Sequence, residues 1–153
     1  MSNEEDIKQK LIEKFNYMDN AVTIKRERRI FADVAIGHFT EVFDYLVRQA
    51  GFISLCAITG MDEGNNTFAV IYHISNFGGA VFSLRTRIPR ENPTVKTITG
   101  YFASADIYER ELMDLLGIKV DGLNEGRRYP LPDNWPQGQY PLRKEWKREA
   151  KNA

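Results

Sequence analysis

Two stretches of this sequence hold residues whose types and spacing suit chemistry or recognition. The first is Glu109-Arg110-Glu111-Leu112-Met113-Asp114, where carboxylates one residue apart invite comparison with acid–base pairs that converge on a single bond. The spacing argues against that use. On a helix, positions i and i+2 point about 200° apart, so Glu109 and Glu111 cannot address the same atom. Glu111 instead shares a side with Tyr108, Leu112 and Leu115, the apolar stripe of that helix, where an ionised carboxylate is costly unless a basic group meets it. An arginine or lysine partner for Glu111 is therefore expected.

Basic residues abound in the second stretch, where Arg127, Arg128, Arg143, Lys144, Lys147, Arg148 and Lys151 outnumber Asp133, Glu145 and Glu149. Residues 147–151 read as a solvated basic end. Residues 127–146, RRYPLPDNWPQGQYPLRKEW, are different. They interleave Tyr129, Leu131, Trp135, Tyr140, Leu142 and Trp146 with prolines that restrict the chain to extended backbone. Aromatic and arginine anchors on a stiff segment are the composition of interface hot spots, so the segment is read as one that recruits a partner protein. Packing on its own domain would leave a similar pattern.

Other reactive side chains lack a pattern. His38 and His73 have no second ligand at the spacing of a zinc or non-haem iron site, and structural roles are expected for both. No G-x-S-x-G, Walker A or G-x-G-x-x-G stretch is present. The single cysteine, Cys56, excludes an internal disulfide and an all-cysteine cluster site within this chain; between Leu55 and Ala57 it is expected to be a buried, inert thiol.

The elements that must position these residues follow from periodicity. Ser2-x-x-Glu5 is a capping-box pattern ahead of Ile7, Leu11, Ile12 and Phe15, which form one stripe of a first helix. Residues 22–34 read as a hairpin around the polar stretch 25–28. Phe39, Val42, Phe43, Leu46 and Val47 fall on one face of a second helix that Gly51 stops. Three β-rich segments, 52–59, 67–75 and 80–87, are separated by MDEGNN and by residues 76–79 and suggest an antiparallel meander. A short strand over 95–98 precedes a third helix capped by Ser104 and ended by Gly117. The prolines and glycines beyond it forbid another long element. The expected fold is therefore one α+β domain over residues 1–120, with a largely antiparallel or mixed sheet and flanking helices, and an extended proline-rich tail over 121–153.

Composition agrees with a single globular domain: 153 residues, 42% hydrophobic and 27% charged. With 21 basic and 21 acidic residues the chain as a whole has no attraction to phosphate, so nucleic acid is disfavoured as a partner. No apolar run approaches the roughly 20 residues of a membrane-spanning helix, the N-terminus is acidic rather than a signal peptide, and a cytoplasmic location is expected.

Several ordered blocks then carry a resemblance: ERELMDLLGI over 109–118, Gly122, Arg127-Arg128, LPDNWP over 131–136 and YPLRKEW over 140–146. The chain resembles the C subunit of complex I, the NADH–quinone oxidoreductase, and its relatives in membrane-bound nickel–iron (NiFe) hydrogenases. The family's ERE-x-x-D signature falls on Glu109, Arg110, Glu111 and Asp114, and its arginine pair on Arg127 and Arg128. Respiratory members usually carry His-Pro-Asp-Leu before that pair, where Leu123-Asn124-Glu125-Gly126 stands here. This, with Arg-Arg-Tyr-Pro-Leu-Pro and the short terminal regions, is more similar to the corresponding subunit of energy-converting, Ech-type or formate-hydrogenlyase-type hydrogenases. The resemblance implies a subunit without a catalytic site or cofactor of its own, peripheral on the cytoplasmic face of the cell membrane and docked on a large NiFe-type subunit beside an iron–sulfur small subunit. In such a complex, ferredoxin-linked electron transfer through a NiFe centre and iron–sulfur clusters in those partners drives H⁺ or Na⁺ across the membrane. The alternatives are the C subunit of a respiratory complex and, more distantly, an independent enzyme using Glu111 or Asp114.

Overall fold

The computed structural model describes residues 3–148, so Ser2 of the capping box and the basic end beyond Arg148 lie outside the described residues. Helix α1 (Asn3–Lys14) opens on Glu4, Glu5 and Asp6 and closes on Lys14, charges that complement the helix dipole; Leu11 is its fully buried residue. Strands β1 (Val22–Arg26) and β2 (Arg29–Ala35) form the expected hairpin, turning at Arg28 with φ +59°. Helix α2 (Phe39–Arg48) buries Phe39, Val42, Phe43 and Leu46.

The meander follows as β3 (Phe52–Gly64), β4 (Thr67–Asn76) and β5 (Val81–Pro89), each antiparallel to the next. β3 is longer than its sequence pattern suggested. MDEG continues the strand, and only Asn65 and Asn66, both at positive φ, make the turn, because paired asparagines tolerate the left-handed conformation that a tight hairpin demands. β2 joins β5 in parallel, which gives a mixed five-stranded sheet of order β1-β2-β5-β4-β3.

Period-two alternation then divides the sheet. Ile30, Ala32, Phe68, Val70, Tyr72, Ile74, Phe82 and Leu84 face the core with Leu11, Phe39, Phe43, Leu112 and Leu116 from the helices. The other face carries Asp33, Glu63, His73, Arg85 and Arg87. Arg85 makes a two-pronged pair with Asp33 (2.6 and 2.9 Å), and Arg87 pairs with Glu63 (2.7 Å). His73 lies between Ser83 (2.8 Å) and Thr59 (3.3 Å), and burial lowers its pKa, so both of its ring nitrogens serve structure.

Cys56 contradicts its expectation, for it is exposed. The ladder slips between Leu55 and Ala57, and the extra residue of that bulge is Cys56, turned outward on an edge strand. The strand expected over 95–98 also differs. β6 (Thr94–Lys96) stops short and pairs in parallel with β7 (Lys119–Asp121) in a separate two-stranded sheet, because the backbone at Ile98 is claimed by a side chain of the third helix. That helix, α3 (Ala105–Leu116), begins beside Ser104, but Ser104 is itself helical (φ −64°, ψ −15°) and its side chain caps nothing. Carbonyls of Phe102 and Ala103 accept the first amide hydrogens instead. Gly117, at φ +72°, ends the helix as expected.

Candidate interaction site on the third helix and the tail

α3 lies across β3 at close range: a Cβ on Gly60 would come within 2.6 Å of the side chains of both Leu112 and Leu116. A larger residue there would push the two leucine ends aside. Ala105, Glu109, Leu112 and Leu116 turn inward and Glu111 does not, which corrects the expected stripe. The two stripes differ by a fraction of a turn that periodicity leaves open.

Glu109 is fully buried and forms no ion pair within 4.0 Å among the described residues. Its Oε1 accepts the Ile98 N–H (2.6 Å) and its Oε2 the Thr97 hydroxyl (2.6 Å), so α3 is pinned to the loop after β6. Burial raises its pKa, and these two donors oppose the rise. Arg110 forks onto Asp106 (2.9 Å twice) and reaches the Asn124 carbonyl (2.9 Å) over Gly126, where a Cβ would meet its guanidinium at 2.6 Å.

The arginine expected at Glu111 arrives at Asp114. Arg128 Nε spans both oxygens of Asp114 (3.1 and 3.3 Å), the Leu131 N–H donates to the same carboxylate (3.1 Å), and Arg128 Nη1 donates to the Trp135 carbonyl (3.1 Å). Glu111 has no ion-pair or hydrogen-bond partner among the described residues. It lines a shallow groove of about 190 Å³ with Ile58, Thr59, Leu115 and Leu142.

The rest of the tail is fastened along the same helix. Leu142 N–H donates to the Leu115 carbonyl (3.0 Å) and Arg143 Nε to the Leu116 carbonyl (2.8 Å), satisfying acceptors at the helix end. Arg143 stacks on Tyr140 (4.4 Å) and Phe68 (5.3 Å), and Tyr140 fills the space beside Gly117. Trp135 and Trp146 lie 5.9 Å apart and both donate to Gln139, one to its carbonyl and one to its side chain. The Lys144 N–H reaches Asp62 (2.9 Å), which also pairs with Arg90 (3.0 Å), and Arg90 in turn pairs with Glu145. Burial would raise the Asp62 carboxyl, but the Lys144 and Gly64 amides and the Arg90 guanidinium hold it at about 2.

Asp114, Arg128, Leu131 and Trp135 are thus linked through the Trp135–Trp146 pair to Tyr140 and Arg143. Tyr129 (43%) and Leu142 (52%) stay exposed, and among the described residues Arg127 reaches only Asp133, at 3.8 Å. Lys144 contributes its backbone while its side chain remains outside. Asp62 and Arg90 were not singled out from sequence, since their tail partners are 82 and 55 residues away.

Chemically the arrangement holds polypeptide rather than turning over a substrate. Asp114 is neutralised by Arg128, and no second titratable group faces Glu111 across its groove. A hollow of about 900 Å³ between α2, the end of α1 and β6 holds His38 and Glu41, but Glu41 already accepts from Tyr17 (2.5 Å) and meets His38 Nδ1 (2.7 Å). Among the described residues no three His, Cys, Asp or Glu side chains converge on one point. No described helix is long and apolar enough to cross a membrane.

Residues 32–152 match the family described as respiratory-chain NADH dehydrogenase, 30 Kd subunit. The chain is 32% identical over 120 residues to the C subunit of F(420)H(2) dehydrogenase from Methanosarcina mazei, covering 77% of this chain and 75% of that one. It is 33% identical over 117 residues to formate hydrogenlyase subunit 5 of Escherichia coli, covering 73% of this chain but 20% of that longer protein. Among solved structures, a chain in the membrane-bound sulfane sulfur reductase, an archaeal respiratory membrane complex, superposes with a TM-score of 0.80 at 25% identity, over 94% of this chain and 85% of that one.

Proposed function

Because the chain belongs to the family of the respiratory-chain NADH dehydrogenase 30 Kd subunit, we propose that it is a docking subunit, without a catalytic site of its own, of a membrane-associated oxidoreductase complex. Its site is the α3–tail surface, where it meets a large NiFe-type subunit beside an iron–sulfur small subunit. One observation carries the reading. The tail is pinned along α3 by Asp114 and the helix-end carbonyls, which leaves Glu111, Arg127, Tyr129 and Leu142 facing outward on a preorganised surface. A segment already ordered before association loses little further entropy on binding.

The match within formate hydrogenlyase subunit 5 supports the large-subunit assignment, since there the corresponding domain is part of one longer polypeptide. The same likeness favours a ferredoxin-linked NiFe hydrogenase that couples electron transfer to ion translocation. In this reading the NiFe centre and the iron–sulfur clusters reside in the partners, and the chain lies peripherally on the cytoplasmic face of the membrane. The likeness to the F(420)H(2) dehydrogenase protein supports a second reading, a dehydrogenase or quinone-linked complex of the same architecture.

The test is a pull-down of the chain from gently solubilised membranes, with mass spectrometry and nickel analysis of what accompanies it. A nickel-containing large subunit is expected. A nickel-free complex moves the assignment to the second reading, and recovery of the chain alone defeats both. Glu111→Gln is expected to weaken recovery of the large subunit several-fold, about the loss of one charge-assisted contact. Intact assembly with lost turnover would instead make Glu111 catalytic.

A further inference from the structure

The groove at the seam of α3 and β3 has hydrocarbon walls and a single charge. Leu112 and Leu116, both buried, form its floor with Ile58, and Leu115 and Leu142 stand at its outer edge. Leu142 is fixed there by the bond from its N–H to the Leu115 carbonyl (3.0 Å), so the tail completes the groove rather than filling it. Glu111 is the one charged residue among those that line it, and it is half-buried.

Every other charged side chain of the two elements that form the seam has its partner within the chain. On α3, Asp106 holds Arg110, Asp114 holds Arg128, and Glu109 accepts from Thr97 and Ile98. On β3, Asp62 pairs with Arg90 and Glu63 with Arg87. The tail's cations are committed elsewhere. Arg143 donates to the Leu116 carbonyl and stacks on Tyr140, Arg127 reaches Asp133, and the Lys144 ammonium lies at the far end of β3, 3.5 Å from where a Cβ on Gly64 would stand. His73, which meets Thr59 across the sheet, is bonded on its other nitrogen to Ser83. Glu111 alone on this seam is left without a base among the described residues.

While the groove is open, water solvates this carboxylate. Once a partner covers it, an ionised carboxylate among leucines is costly unless the covering surface brings a base. We propose that the groove receives an arginine of the large subunit, its methylene stem along Leu115 and Leu142 and its guanidinium forked onto the Glu111 carboxylate. The inference rests on the α3–tail docking reading and names the group that meets it. Arginine suits the groove better than lysine. Its planar guanidinium offers a carboxylate two parallel N–H donors and is more weakly hydrated than an ammonium, so it enters an apolar cleft at lower cost. Its stem covers hydrocarbon while its head stays on the charge at the rim.

The test places a photo-crosslinking benzoylphenylalanine at position 142 of the full chain, purifies the assembled complex, and maps the crosslink by mass spectrometry. The expected product joins position 142 to a large-subunit peptide that contains an arginine. Glu111→Arg is expected to lower retention of the large subunit about tenfold. Thermal unfolding of the free chain is expected to stay unchanged, because Glu111 has no partner within it. Changing the arginine of the crosslinked peptide to glutamate is expected to weaken binding of the wild-type chain and to restore binding of the Glu111→Arg chain. A crosslinked peptide without arginine, retention that Glu111→Arg leaves unchanged, or a loss that the reversed arginine does not restore overturns the proposal and leaves the α3–tail surface as the docking face. A wild-type chain that purifies alone, or an assembled complex in which position 142 reaches no other subunit, overturns both.

Discussion

Glu109 shows how a carboxylate becomes structural. Fully buried, it spends each oxygen on a donor from the loop after β6, so its removal strands the Ile98 N–H and the Thr97 hydroxyl. Glu109→Ala is expected to cost about 1–3 kcal/mol in urea unfolding, the penalty of an unsatisfied buried donor. Glu109→Gln keeps an acceptor for Ile98 and a donor for Thr97 and is expected to cost less. The two variants also separate in pH. Because burial raises the Glu109 pKa, its contribution is fullest below the ordinary value of 4.5 and fades as pH rises through the raised one. The Gln variant is expected to flatten that decline as pH rises above 4.5. Which glutamate would take this role was not legible in the sequence, since Glu109 and Glu111 both border the apolar stripe and only the packing of α3 on the sheet decides which is buried.

At the scale of the element, α3 depends on how it stops. Gly117 adopts φ +72°, and a Cβ there would stand 2.6 Å from the Tyr140 ring and 2.7 Å from Arg143 Nη2. Gly117→Ala is therefore expected to cost about 1–2 kcal/mol from backbone conformation alone, and to displace Tyr140 and Arg143 from the helix end. Faster cleavage by trypsin after Arg143, with α3 retained in the circular dichroism spectrum, would distinguish loss of the tail contact from loss of the helix. The sequence signalled this glycine correctly because a helix end is a local event. It misplaced the Ser104 cap, since nearby carbonyls already take the amide hydrogens that a serine would have served.

Across the whole molecule, one domain face and the tail form a unit held by Asp114–Arg128 and by Asp62, whose carboxylate binds the Lys144 amide and Arg90. Asp62 sits at about 2, below the ordinary 3.8, so its contribution is complete above the ordinary value and is lost as pH falls through 2. The tail is expected to stay attached from neutral pH down to about 4 and to loosen below it. Both tryptophans of the chain, Trp135 and Trp146, lie in the tail, so their fluorescence reports this directly. Asp114→Ala is expected to shift the loosening upward in pH, and an unchanged emission maximum would show that Arg128 is not a principal fastening.

Neighbouring residues were enough to specify three amphipathic helices, the hairpin, the meander, the glycine stop and the α+β class. Each depends on periodicity or on a turn residue whose backbone preference acts within a few positions. The blocks from Glu109 to Trp146 also identified the family, because their order is itself sequence. Contacts across the fold were needed to settle which carboxylate is buried, which one takes the arginine, that Cys56 sits in a bulge facing solvent, and that β6 pairs with β7 rather than with the meander. These depend on residues far apart in the chain, where a shift of one residue in register or a fraction of a turn in a helix exchanges inside for outside.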